Sequence, residues 1–153
     1  RVEGFFQAFK DLDIPVLLRH VFLDLVDTRS VYWVEQTSED KAVIHNQLRE
    51  YLLKSTDLTA IIALNDLIAT DLMAVLEELE RRPGVDVSVI GFDNVTFANQ
   101  VKPPLTSVET PTVELGRQAA ELLLKQIMDP NHQPEHILLP SKLVVRGSVS
   151  ECR

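Results

Sequence analysis

Residues 87–94 read Val-Ser-Val-Ile-Gly-Phe-Asp-Asn. The run is apolar with almost no alternation and stops abruptly at a carboxylate, Asp93. A strand with this pattern is expected to be buried on both faces, as strands of parallel sheets are. Residues 58–64, Leu-Thr-Ala-Ile-Ile-Ala-Leu, have the same character and also run into polar side chains, Asn65 and Asp66. Between the two runs, Ile68, Leu72, Val75, Leu76 and Leu79 recur at helical spacing. Asn65-Asp66 opens that helix, Asp66 being well placed as its cap, and Pro83-Gly84 closes it. Glu77–Arg81 and Glu78–Arg82 are expected to pair along its outer face. The unit is strand–helix–strand.

Working outward, Val2, Phe5, Phe6, Phe9 and Leu12 mark an opening helix closed by Ile14-Pro15. Residues 16–34 turn to β-rich runs interrupted by the polar residues 27–30. Thr37 or Ser38 can cap a helix whose apolar face is Ile44, Leu48, Tyr51 and Leu52. Beyond Pro103-Pro104 come a short strand at 105–109 and a helix from about Pro111 to Met128, with Gly116, Ala119, Ala120, Leu123 and Ile127 on its apolar face. Two late strands are expected near 136–139 and 142–146. Strands alternating with helices of this length predict an α/β fold, a parallel β-sheet flanked by helices on both faces.

The 153 residues suit one ordinary domain, 45% apolar and 25% charged. No apolar run approaches the roughly 18–20 residues that span a bilayer, and no secretory signal opens the chain, so no membrane partner is expected. The first residues, Arg1-Val2-Glu3-Gly4-Phe5, already read as helix with no initiator methionine, so a longer parent protein is expected. The net charge of −8, from 23 acids and 15 bases, is the wrong sign for gripping DNA, where lysine and arginine supply most of the affinity. The single cysteine, Cys152, excludes an internal disulfide and points to a reducing compartment.

In open parallel sheets, ligands bind beyond the carboxyl ends of the strands. Two strands here deliver side chains of the right type to that edge: Asn65-Asp66 and Asp93-Asn94. A carboxylate accepts hydrogen bonds in a fork and a carboxamide both donates and accepts, which suits vicinal hydroxyls or the edge of a base. Gly91 lets the backbone bend and permits close approach of a ligand or a neighbouring strand. The alternative is structural: Asp and Asn after a strand commonly make Asx-turns and helix caps.

The blocks at 59–78, 85–94, 103–127 and 139–148 (TAIIALNDLIATDLMAVLEE, VDVSVIGFDN, PPLTSVETPTVELGRQAAELLLKQI, LPSKLVVRGS) occur in the order seen in LacI/GalR-type transcription regulators. Arg1-x-x-Gly4-Phe5 resembles that family's R-x-x-G-F helix. The resemblance implies a periplasmic-binding-protein-like effector domain whose two α/β lobes close on a small molecule, often a sugar or sugar derivative. It implies effector contacts from Arg1, from Asn65 of the A-N-D motif and from Asp93 of G-[FY]-D-[DN], with Trp33 or Tyr32 as an aromatic that stacks on the ligand. For Trp33 a core or interface position is the alternative.

By the same resemblance, residues 1–102 and 136–148 form mostly the C-terminal lobe, and 105–128 are elements returning to an N-terminal lobe outside this chain. The Gly116–Ile127 face must then pack back, swap between chains or lie exposed. DNA would be reached only through a separate N-terminal module. Residues 37–41, Thr-Ser-Glu-Asp-Lys, resemble regulators of the arabinose-repressor kind, whose DNA-binding head is of the GntR type. A cytoplasmic homodimer through the 67–82 helix and Val95–Val101 is implied as well.

No phosphate-cradling loop and no nucleophile elbow occur. His20, His45, His132 and His136 lack metal spacing, and Asn94-Val95-Thr96 matches a glycosylation triplet that is common by chance. No enzyme, no cofactor and no metal are therefore expected. The leading reading is an effector-sensing domain of a regulator. A sugar-binding protein of a transport system and a doubly wound enzyme stand behind it, separable by an upstream signal peptide and by turnover of a bound sugar.

Overall fold

A computed structural model describes residues 1–16, 21, 38–129 and 131–151. In chain order the elements are α1 (Val2–Asp11), α2 (Ser38–Lys54), β1 (Ala60–Ile62), α3 (Asp66–Glu78), β2 (Ser88–Phe92), a 3-10 turn (Thr96–Asn99), β3 (Thr106–Glu109), α4 (Thr112–Met128) and β4 (Lys142–Val144). Apart from Val16 and Val21, neither of which is in a strand, the β-rich runs expected within 16–34 lie outside the described residues, as do Trp33, Tyr32, the Thr37 cap and Cys152.

The strands form a sheet in the order β1-β2-β3-β4. β1, β2 and β3 run parallel, and β4 returns antiparallel to β3 with Glu109 opposite Lys142. The fold is the expected mixed α/β, mostly parallel, with one antiparallel edge. Residues 136–139 are not a strand; they lie beside α4, where Leu115, Ala119 and Leu122 face Ile137 and Leu139 across a small groove.

Burial within the strands alternates more than their composition suggests. In β2, Val89 and Gly91 are buried while Ser88, Ile90 and Phe92 are half-buried, and in β1 Ile62 is half exposed. The expectation of burial on both faces fails because α3, backed by α2, covers the face that carries Val89, and the described residues cover the other less completely. Val75 and Leu76 of α3, and Leu48 and Leu52 of α2, which packs on α3, are sealed in the same core cluster as Val89. Each such side chain contributes about 1.5–3 kcal/mol by leaving water. The expected face of α2 is confirmed, with Tyr51 packed at its margin.

α3 ends at Glu78, short of Pro83-Gly84, because Glu80 adopts a left-handed conformation at φ 57°. The amide of Arg81 then bonds the Leu76 carbonyl at 2.8 Å and that of Glu80 bonds Glu77 at 3.0 Å, a Schellman closure without glycine. This turns both arginines off the helix, so the pairs expected with Glu77 and Glu78 do not form. Arg81 instead donates to the carbonyls of Ser55 and Leu58, and Arg82 pairs with Asp86. Glu78 meets His45 of α2 at 3.0 Å.

α1 closes in the same way at Asp13, φ 53°, with Ile14 bonded to the Phe9 carbonyl. Along it Phe5 and Phe9 stack with ring centroids 4.6 Å apart. α4 has the amphipathic face expected but no buried residue: Leu123 and Ile127 are both more than half exposed.

Candidate functional site

The carboxyl ends of β1 and β2 lie side by side, since β1 and β2 are adjacent and parallel with Ile62 opposite Ile90. Each strand runs directly into its polar pair. After β1, Asn65 is extended and its side chain accepts the Ile68 amide at 2.9 Å, making Asn65 the N-cap of α3. This corrects the expectation that Asp66 caps the helix. One residue further on, the Asp66 side chain points away from its own helix and into the sheet.

Asp66 is 1% exposed. Its Oδ1 accepts the Ser107 hydroxyl at 2.6 Å, and its Oδ2 accepts the Val95 amide at 2.8 Å. A buried carboxylate is stable only when such donors replace water. The room for it comes from Gly91, where a Cβ would stand 2.2 Å from Asp66 Oδ1. The close approach inferred from that glycine is thus made by a side chain of the neighbouring helix.

After β2 the backbone enters a rare conformation. Asp93 and Asn94 both have positive φ, 95° and 50°. Aspartate and asparagine tolerate this region better than other non-glycine residues, yet each such position costs on the order of 1–3 kcal/mol. Successive amides of the turn are held from beneath. Asp93 bonds the Val108 carbonyl at 2.9 Å, Asn94 bonds Ser107 Oγ at 3.0 Å, and Val95 bonds Asp66. The bond to the Asp66 carboxylate is worth about 1.5–3 kcal/mol and the two neutral ones about 0.5–1.5 kcal/mol each, together comparable to the strain. Arg146, just past β4, adds a further tie by donating to Asn94 Oδ1 at 2.6 Å and to the Leu105 carbonyl.

The turn presents Asp93 to Arg1. The Arg1 guanidinium donates to Asp93 Oδ1 and to the Leu64 carbonyl, both at 2.5 Å, and lies 4.9 Å from the centre of the Phe92 ring. The side chains are 35% and 28% exposed, so water screens the pair and its stabilisation is about 0–1 kcal/mol. Its importance is positional: a cation and an anion stand together at the strand ends, open to solvent. A shallow concavity of about 470 Å³ borders them, lined by Arg1, Val2, Glu3 and Leu64.

Of the residues singled out from sequence, Arg1 and Asp93 come together, the Asn65 side chain is buried and engaged as the cap of α3, and Trp33 lies outside the described residues. Sequence reading missed Ser107 and Arg146, and took Asp66 for a helix cap or cleft residue rather than a buried support of the turn. A signal existed for Asp66: the glycine two residues before Asp93 needed a neighbour to make room for. Among the described residues no cluster of three or more His, Cys, Asp or Glu side chains could hold a metal. No described helix is long and apolar enough to cross a membrane.

Comparison with known proteins places this geometry in context. The periplasmic binding protein-like domain family matches residues 2–149. An HTH-type transcriptional repressor, PurR of Photobacterium profundum, is 35% identical over 102 residues, 67% of this chain and 30% of that protein. The chain thus spans under a third of that relative. Among solved structures, the transcriptional regulator CelR–cellobiose complex superposes with a TM-score of 0.77 at 28% identity, covering 96% of this chain and 41% of that one. A LacI family transcriptional regulator from Enterococcus faecium with bound ribose gives 0.72 at 33% identity, covering 97% and 50%. These relatives are transcriptional regulators rather than enzymes.

Proposed function

This chain belongs to the periplasmic binding protein-like, effector-binding family of LacI-type transcriptional regulators, and from that premise we propose that it senses a small polyhydroxylated ligand, a sugar or sugar derivative. The observation that carries the reading is the Arg1–Asp93 pair, standing half-exposed where two parallel strands end. A guanidinium fork supplies donors and a carboxylate supplies acceptors, so vicinal hydroxyls can bond to both at once. Arg1, Asn65 and Asp93 are the proposed effector contacts, with Trp33 as the stacking aromatic. Support for a sugar comes from the two similar structures, whose ligands are cellobiose and ribose.

Residues 1–102 and 136–148 are proposed as mostly one lobe of the sensor, and 105–128 as elements that reach toward a second. Ligand bound between lobes favours the closed state by its differential affinity. In a cytoplasmic homodimer joined through α3 and Val95–Val101, closure would reset the spacing of DNA-binding modules carried elsewhere in the parent protein. The protein's own charge, −8, fits a sensor that leaves operator contact to another module. No catalysis is part of this role.

The test is a thermal-shift titration of the parent regulator against pentoses, hexoses, disaccharides and nucleosides. A ligand specific to the folded state at a hundredfold excess over its Kd stabilises by about 2.7 kcal/mol. One sugar raising the midpoint in the parent, but not in Asp93→Ala, supports the reading. No response to any sugar, or an unchanged response in that variant, overturns it.

A further inference from the structure

We infer that Ser107 and Asp66 are positioning residues for the effector site: together they hold the left-handed Asp93–Asn94 turn that aims the Asp93 carboxylate at Arg1. The inference rests on the proposed role of Asp93 and extends it to two buried residues that do not reach the concavity.

Four observations carry it. Two consecutive non-glycine residues, Asp93 and Asn94, have positive φ. The two amides that follow the first of them end on this pair, Asn94 on Ser107 Oγ and Val95 on Asp66 Oδ2. Ser107 donates its hydroxyl to Asp66 Oδ1, so its oxygen receives one bond and gives another, and neither can be kept without it. Both residues are buried, at 0% and 1% exposure, so water cannot replace a lost partner. The partners come from two separate elements, β3 with Ser107 and α3 with Asp66, while the turn itself leaves β2. The conformation at Asp93 is therefore over-determined by the fold, as a strained backbone must be to persist.

The alternative is that Ser107 and Asp66 merely satisfy each other in the core. The two roles separate in a double-substitution cycle and a backbone measurement. Ser107→Ala is expected to weaken effector affinity about tenfold or more, the loss typical when a buried bonded partner is removed. Glycine adopts positive φ without penalty. In an Asn94→Gly background the same Ser107→Ala substitution is therefore expected to cost about threefold or less, a departure from additivity that marks the two sites as coupled. A structural role in the core would lose the same factor in both backgrounds.

The second readout needs no ligand. In the free protein, backbone scalar couplings and Cα/Cβ shifts of Asp93 and Asn94 report their φ. They are expected to move toward negative φ in Ser107→Ala and in the milder Asp66→Asn. Unchanged couplings in both variants overturn the inference, as does an equal affinity loss in both backgrounds. If no sugar binds the parent regulator, the function proposed above fails, and the couplings alone decide whether Ser107 and Asp66 set the turn.

Discussion

The carboxylate of Asp66 occupies the space that a side chain at Gly91 would need: a Cβ there would lie 2.2 Å from Asp66 Oδ1 and 3.0 Å from a Leu105 methyl. One residue is small so that the other can be buried. Gly91→Ala should therefore destabilise the protein by about 1–3 kcal/mol through overpacking. It should also displace the turn after β2, since Asp66 bonds Val95. Denaturant unfolding monitored by circular dichroism measures the first effect, and the amide shift of Val95 measures the second.

Asp93→Ala should remain folded, destabilised by about 1 kcal/mol because alanine tolerates positive φ less well than aspartate, while losing effector response. Among the described residues the side chain bonds only Arg1, whereas the amide of Asp93 remains paired with Val108. Loss of a charge-assisted contact to ligand predicts about 10- to 100-fold weaker binding. Calorimetric titration with the sugar that stabilises the parent regulator gives the affinity, and an unfolding curve alongside checks the fold. An unfolded variant would show that Asp93 serves the turn rather than the ligand.

Arg81 ties the end of α3 to the segment that leads into β1, by way of the Ser55 and Leu58 carbonyls. Arg81→Ala leaves both without a charged donor in a partly buried setting and should cost about 1–3 kcal/mol. Lysine has no fork to span two carbonyls, so Arg81→Lys should recover less than half of the loss in midpoint. A full recovery would mean that charge, and not the paired geometry, matters at this position.

Near the start of α4 the Arg117 guanidinium, helped by the Gln118 amide, holds the Glu114 carboxyl down at about 2. A group depressed in the folded state stabilises fully above its unfolded value, and that contribution is lost as pH falls through the folded value. The window here runs from the ordinary carboxylate range down to about 2. A carboxyl-carbon NMR titration should place Glu114 at the bottom of that window, and Arg117→Ala should return it toward the ordinary range. Because both groups face solvent, high salt should narrow the difference.

Much of the architecture was legible because buried periodicity is a strong signal. The apolar faces of α2 and α3 and the strands on either side of α3 follow from spacing alone. What could not be read depends on choices of a single residue. Asn65 and Asp66 are both good caps; which one caps is decided by Gly91 and Ser107, far away in sequence. The end of α3 was placed at a glycine, but Glu80 takes the left-handed position earlier, because the closing amide bonds can form there without one. Residues 136–139 are apolar enough for a strand, yet only 142–144 find a partner in β3. Of the site, Arg1 lines the concavity and Asp93 pairs with it; both are legible from sequence, whereas Val2, Glu3 and Leu64, which complete the lining, are not. Of the buried pair beneath the turn, Asp66 is legible only as a cap or cleft residue and Ser107 not at all, since nothing local distinguishes it from any other strand serine.

The antiparallel return of β4 beside β3 makes the whole stretch from 110 to 141 a detour. It departs from Glu109 and comes back at Lys142, its paired neighbour, and no described residue between 110 and 141 is buried. Adjacent antiparallel ends can be joined by a two-residue turn. A short Asn-Gly link from Glu109 to Lys142 should thus excise α4 while sparing the β1–β2–β3 core, the Asp66–Ser107 contact and the Arg146 tie. The detour is an appendage on a hairpin stem, removable or replaceable as one cassette.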